Sequence, residues 1–169
     1  MAINLALWMA THGEKVLYVS CADMNWKDFI IRLSSIAFGI KFSEAYQNLS
    51  ACYDNLKKLI GNNLDISINA AGQVSAEDIV EKVNHDNFSV CITDYDGTLA
   101  GAGEGDSMYM SYGAIYNELT KLSIAGKLVI VCSQPKNYAY GQTIGMSDIG
   151  ESSKKQQVKN QLPFKAEMF

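Results

Sequence analysis

The sequence is poor in the positive charge that grips a polyanion. Its only arginine is Arg32, and its lysines are scattered apart from Lys57-Lys58 and Lys154-Lys155. With a net charge of −4 it lacks the basic patch of a self-sufficient nucleic-acid binder. Any contact with DNA must then be shared among subunits or made through parts outside this sequence. Long hydrophobic runs are missing too. The opening MAINLALWMATHG is too short to span a bilayer and is interrupted by Asn4 and His12. It has no basic leading region, so it does not read as a secretory signal. No Cys-x-x-Cys pair occurs among Cys21, Cys52, Cys91 and Cys132, and three of the four follow or sit inside apolar strand-like runs. That pattern points to buried, reduced thiols in a cytosolic protein rather than a zinc site or a disulfide framework.

What is present fits one globular domain. The 169 residues are 48% apolar and 19% charged, enough to bury a core and too apolar for disorder. Helices and strands alternate along the chain. Residues 2–11 read as a helix buried on most sides, with Ile3, Leu5, Ala6, Leu7, Met9 and Ala10 supplying its apolar surface. Residues 15–20 (KVLYVS) read as a short strand. Apolar spacing of three and four predicts a helix over 26–38, ended by Gly39, and a second over 43–60, capped by Ser43 and closed by Gly61. Residues 64–68 alternate like a strand. Ser75-Ala76-Glu77-Asp78 is a capping signature ahead of a helix over 76–84. Further strands are expected at 88–93 and 127–132, with a long helix at 107–124 between them. The stretch GAGEGDS reads as a mobile loop; Glu104 and Asp106 would repel a phosphate. The polar tail, 154–169, has no period and is set apart from a domain over 1–153.

Apolar strands alternating with helices argue for a three-layer α/β fold, a mainly parallel sheet covered on both faces. In such sheets function gathers at the carboxyl ends of the strands. Three predicted strands end in residues able to do chemistry: Ser20-Cys21-Ala22-Asp23, Asp94, and Ser133-Gln134. An aspartate closing an apolar strand can hold Mg²⁺ through water beside nucleotide phosphates; the structural alternative is a helix or turn cap. Asp23 can polarise a water for attack on a γ-phosphate; its alternative is the N-cap of the helix over 26–38. Gln134 can hydrogen-bond a γ-phosphate, or be a solvated loop amide.

The succession EKVLYVSCADMNWKDFIIRL, SVCITDYDG, DSMYMSYGAIYNELTKLS, KLVIVCSQP and MSDIGESS resembles the RecA-like ATPase core of DnaB-type replicative helicases, in the form found in large tailed phages. The resemblance covers roughly residues 2–153 and rests on the order of five motifs, none specific alone. In that family a strand ends Ser-x-Glu-Met; here Ser20-Cys21-Ala22-Asp23-Met24 has a shorter carboxylate and one inserted residue. Asp94-Tyr95 matches the family's Walker B end, Ser133-Gln134 its sensor strand, and Met146-Ser147-Asp148-Ile149-Gly150-Glu151-Ser152 its Ser-Asp-x-x-Glu-Ser element. The resemblance implies ATP and Mg²⁺ as cofactors. Asp94 would hold the metal through water, Asp23 would activate water, and Ser133 and Gln134 would sense the γ-phosphate. It also implies single-stranded DNA as partner, a homo-oligomer forming a hexameric ring, no membrane, and a cytoplasmic location in a bacterial or phage-infected cell.

This sequence departs from the family at both ends. The phosphate loop, G-x-x-x-x-G-K-[ST], and the strand feeding it would lie immediately before residue 1, so the fold reads as truncated at that strand. No arginine finger is evident. Alone, such a chain is expected to be inactive, blind to ATP and self-associating. Two other functions compete. Asp94-Tyr95-Asp96-Gly97-Thr98-Leu99 matches the D-x-D-G-T-L signature of haloacid-dehalogenase-type phosphatases, with Asp94 as nucleophile, Asp96 as general acid and Ser133 as a second motif. The other is a non-catalytic RecA-fold remnant acting as an assembly module.

Overall fold

The structure, a computed structural model, describes residues 2–21, 24–102 and 108–133, and only the backbone of 108–110. The tail 154–169, the boundary at 153, the motif at 146–152 and the turn at 103–107 lie outside the described residues.

The chain starts with α1 (Ala2–Thr11), which reaches β1 (Val16–Cys21) through a short turn. Then come α2 (Trp26–Phe38), α3 (Phe42–Gln47), α4 (Leu49–Ile60) and β2 (Leu64–Asn69). The second half holds α5 (Ala76–His85), β3 (Val90–Asp94), a 3₁₀ turn over Asp96–Thr98, α6 (Met108–Ile124) and β4 (Leu128–Val131). The strands form one sheet in the order β2-β1-β3-β4, and every neighbouring pair is parallel.

Strand periodicity sorts the side chains between two cores. Val16, Tyr18, Val90 and Ile92 pack with α1, α2 and α4 on one face. Leu17, Val19, Cys21 and Cys91 pack with α5 and α6 on the other. The three-layer parallel α/β expectation is met. β1, in the middle, is buried along its whole length, as a strand covered on both faces must be.

Several local expectations hold. The helix at 26–38 stops at Gly39, which takes the left-handed conformation (φ 67°) and donates its N–H to the Ser35 carbonyl. Ser75 and Asp78 form a reciprocal capping box at the start of α5. All four cysteines are described and none is in a disulfide. Burial pushes the Cys91 thiol up to about 11, so it stays protonated at neutral pH.

Three expectations need correction. α1 is not buried on most sides: Ile3, Ala6, Leu7 and Ala10 make one stripe, and Trp8 is exposed. The helix read as 43–60 is two helices, because Asn48 (φ −118°, ψ 37°) leaves helical geometry between α3 and α4. Lys41, not Ser43, is the N-cap of α3, and it makes no side-chain capping bond. Ala45, Cys52, Leu56 and Ile60 are buried in the same core, so packing rather than capping sets where the two short helices lie.

Candidate functional site at the carboxyl edge of the sheet

β3 runs Val-Cys-Ile-Thr through the core and ends on half-buried Asp94. Because β1 is parallel to β3 with Ser20 opposite Asp94, β1 ends at Cys21 beside the same edge. β4 is parallel on the other side, with Val131 opposite Thr93, so Ser133 emerges there too. The structure therefore brings Asp94, Asp96 and Ser133 to one edge. Asp23 and Gln134 lie outside the described residues. The N-cap of α2 is Asn25, whose side chain accepts a hydrogen bond from the Asp28 N–H, so that helix does not use Asp23 as its cap.

The start of α1 faces this edge as well. Its last turn sits at the amino end of the sheet, where Asn63 donates to the Ala10 carbonyl and its own carbonyl accepts from Val16 N–H. Ten helical residues rise about 15 Å, close to the length of a six-residue strand. α1 thus runs back along β1, and its amino terminus, with unpaired N–H groups and positive dipole end, reaches the carboxyl edge.

Asp94 is held by a residue that the sequence did not single out. The Tyr18 hydroxyl, from the middle of β1, donates to Asp94 Oδ2. Tyr18 is fully buried and its ring meets Phe29 edge-on at 5.0 Å. Burial, then the bond to Asp94, pushes its phenol far above the ordinary value, so it remains a donor at any ordinary pH. The sequence signal was a tyrosine inside an apolar strand, whose buried hydroxyl must find a partner.

Asp96 points to the opposite face. It is 1% exposed. Its Oδ2 accepts from Tyr116 Oη at 2.8 Å and from Ser133 Oγ at 2.8 Å, and those two hydroxyls lie 3.2 Å apart. Burial, followed by the Asp96 charge, raises the Tyr116 phenol far above normal. The backbone repeats the link, since Asp96 N–H donates to the Cys132 carbonyl at 3.0 Å. The turn then continues across the edge. Thr98 Oγ1 donates to the carbonyls of Tyr95 (2.9 Å) and Cys21 (3.3 Å). The Thr98 carbonyl accepts from Gly72 N–H at 2.8 Å, and Ala100 N–H donates to Val74 at 2.8 Å. Gly97 makes the tight passage possible: a Cβ there would lie 3.1 Å from the Tyr95 ring and 3.4 Å from the Tyr112 hydroxyl.

This geometry gives the phosphatase alternative no support. A general acid must reach its substrate, whereas Asp96 is enclosed and engaged by two hydroxyls, and Ser133 turns its own hydroxyl inward to Asp96. The Asp94 end fits Mg²⁺ of the kind that keeps most of its waters and shares one or two carboxylates with substrate phosphates. It does not fit a cation held by protein alone: among the described residues no three His, Cys, Asp or Glu side chains converge on a metal. A groove of about 490 Å³ lies elsewhere, at the amino end of the sheet among Lys15, Trp26, Tyr53 and Leu64, and none of the candidate residues lines it. No described helix is long and apolar enough to cross a membrane.

Comparison with known proteins places the fold. No protein-family model matches the sequence, and no curated protein does. Solved structures do. The ATPase domain of a phage helicase superposes with a TM-score of 0.71 at 22% identity, covering 92% of this chain and 61% of that one. A DnaB-like replicative helicase, studied with its primase interactions, superposes with a TM-score of 0.68 at 22% identity, covering 92% of this chain and 41% of that one. This chain therefore has the fold of a DnaB-like helicase ATPase domain and spans only part of the length of the proteins it resembles.

Proposed function

We propose that this chain is a segment of the ATPase domain of a DnaB-type replicative helicase. In the intact protein that domain couples ATP hydrolysis to movement along single-stranded DNA and to duplex unwinding, within a hexameric ring. The observation that carries this reading is the carboxyl edge: Asp94, the end of β1 and the start of α1 meet there in a fold shared with helicase ATPase domains. Asp94 holds Mg²⁺ through water, Asp23 orients the water that attacks the γ-phosphate, and Ser133-Gln134 senses that phosphate. Tyr18 fixes one oxygen of Asp94 and leaves the other to face metal-bound water. Mg²⁺ supplies charge neutralisation on the phosphates. The positive end of α1 supports an anion at the same edge. A ring would also explain the charge: one arginine and a net −4 leave DNA contact to be shared among subunits.

The sequence contains no G-x-x-x-x-G-K-[ST], and the reading requires one leading into α1. The test is calorimetric titration with ATP and Mg²⁺, run on the chain alone and on the chain preceded by its upstream coding sequence. Binding is expected in the second case, with loss in Asp94→Asn. Binding in neither, or binding indifferent to Asp94→Asn, overturns the reading.

A further inference from the structure

We infer that residues 95–100 form a mechanical strap that couples the end of β4 to the turn beyond β2, with Asp96 as the positioning residue that anchors it. Every step of the path is a hydrogen bond. At one end, Ser133 Oγ and Tyr116 Oη hold the Asp96 carboxylate, and Asp96 N–H holds the Cys132 carbonyl. In the middle, Thr98 Oγ1 rests on the last carbonyl of β1, Cys21. At the other end, Gly72 N–H binds the Thr98 carbonyl and Ala100 N–H binds Val74. Leu99 is buried in the α5–α6 core and pins the strap from below. The sheet order puts β4 and β2 three strand spacings apart, about 14 Å at the usual separation.

A short segment fixed this densely has little room for graded movement. It opens as a unit or stays closed, which is how local cooperative opening behaves in native proteins. The strap starts at the residue after Asp94 and touches the ends of β1 and β4. A displacement at Ser133 is therefore passed to the segment after β1 and to the 70–74 turn without disturbing the strand pairing beneath. The coupling itself needs no bound nucleotide. Only its use, to report γ-phosphate contact at the end of β4 to the other strand ends, rests on the helicase reading.

The test is amide hydrogen exchange on the full chain without nucleotide, comparing wild type with Ser133→Ala, Asp96→Asn and a distant control, Ile66→Val. Losing one hydrogen bond at the anchor is expected to speed exchange about five- to tenfold at the amides of Asp96, Ala100 and Gly72 together. The paired amides of β1 should be unchanged. Ile66→Val should leave the three strap amides as they were, because it weakens the sheet rather than the strap. Two results would overturn the inference: acceleration at Asp96 alone with Gly72 and Ala100 unaffected, or an equal acceleration throughout the domain. If the expected pattern appears while the chain with its upstream sequence binds no ATP, the strap stands and the helicase reading falls.

Discussion

Two carboxylates leave β3 two residues apart, and they sit in opposite surroundings. Asp94 is half-buried on the α1–α2 side of the carboxyl edge, with one phenol on one oxygen. Asp96 is enclosed on the α6 side, with two hydroxyls on one oxygen. Both use tyrosine as donor, and in both burial is the main reason the phenol resists ionisation. What differs is access. A group that water can reach can exchange its partner for a metal-bound water or a substrate. A group that water cannot reach can only hold what surrounds it. The pair separates a binding position from an anchoring one on chemistry that is otherwise alike.

The largest expected effect falls on the anchor. Asp96→Ala would leave the hydroxyls of Tyr116 and Ser133 without their shared acceptor in a buried site. Such losses cost about 1–3 kcal/mol per group, so a fall of about 3 kcal/mol in unfolding free energy is expected by urea denaturation. Asp94→Asn keeps an acceptor for Tyr18 at a site open to water, and should change stability by less than about 1 kcal/mol. If the two variants lose equal stability, the contrast between anchor and binding position is wrong.

A smaller effect sharpens the comparison through the phenols. Tyr116→Phe and Tyr18→Phe each delete one hydroxyl and keep the ring. The first leaves a charge in an enclosed site with one donor fewer and should cost about 1.5–3 kcal/mol, the range for bonds to charged groups. The second leaves Asp94 able to recruit water and should cost about 1 kcal/mol or less. Thermal melts of the two variants check the order; Tyr18→Phe as the more damaging change would reverse the assignment.

How far the sequence discloses this arrangement depends on the range of the interaction. Strand ends and helix starts are local, so the four strands, the capping box at Ser75 and the stop at Gly39 are legible from a few neighbouring residues. The break at Asn48 is less so. The residues flanking it carry helical spacing, and only tertiary burial of Ala45 and Cys52 decides that two short helices serve better than one. Asp94 and Ser133 are visible because each closes an apolar run. Tyr18 and Tyr116 are not. Their partners lie 76 and 20 residues away, and nothing in a chain with nine tyrosines marks which hydroxyls meet a carboxylate. The roles of Asp94 and Asp96 looked interchangeable in the D-x-D pattern because a strand's alternation tells which face each takes, not what covers that face.

A third carboxylate provides the exposed extreme of the same chemistry. Asp78 accepts from Ser75 N–H and Ser75 Oγ, both at 2.9 Å, while its own N–H donates to Ser75 Oγ at 3.1 Å. Those bonds, the backbone one first, lower the Asp78 carboxyl below its ordinary value, although solvent surrounds it. The sign follows from linkage. A carboxylate whose pKa is depressed in the folded state adds stability above its unfolded pKa, near 3.9, and that addition is lost as pH falls through the folded value. Stability should therefore decline in acid below about pH 4 by an amount that Asp78→Asn removes. Water competes for every bond at this site, so the change is expected to be the smallest of the set, well under the cost of about 1 kcal/mol for a lost N-cap in Ser75→Ala. Urea titrations at pH 6 and pH 3, on wild type and Asp78→Asn, measure it. If the acid-sensitive part carried by Asp78 matched the cost of Asp96→Ala, burial would not be what separates an anchor from an ordinary cap, and the distinction between Asp94 and Asp96 would need another cause.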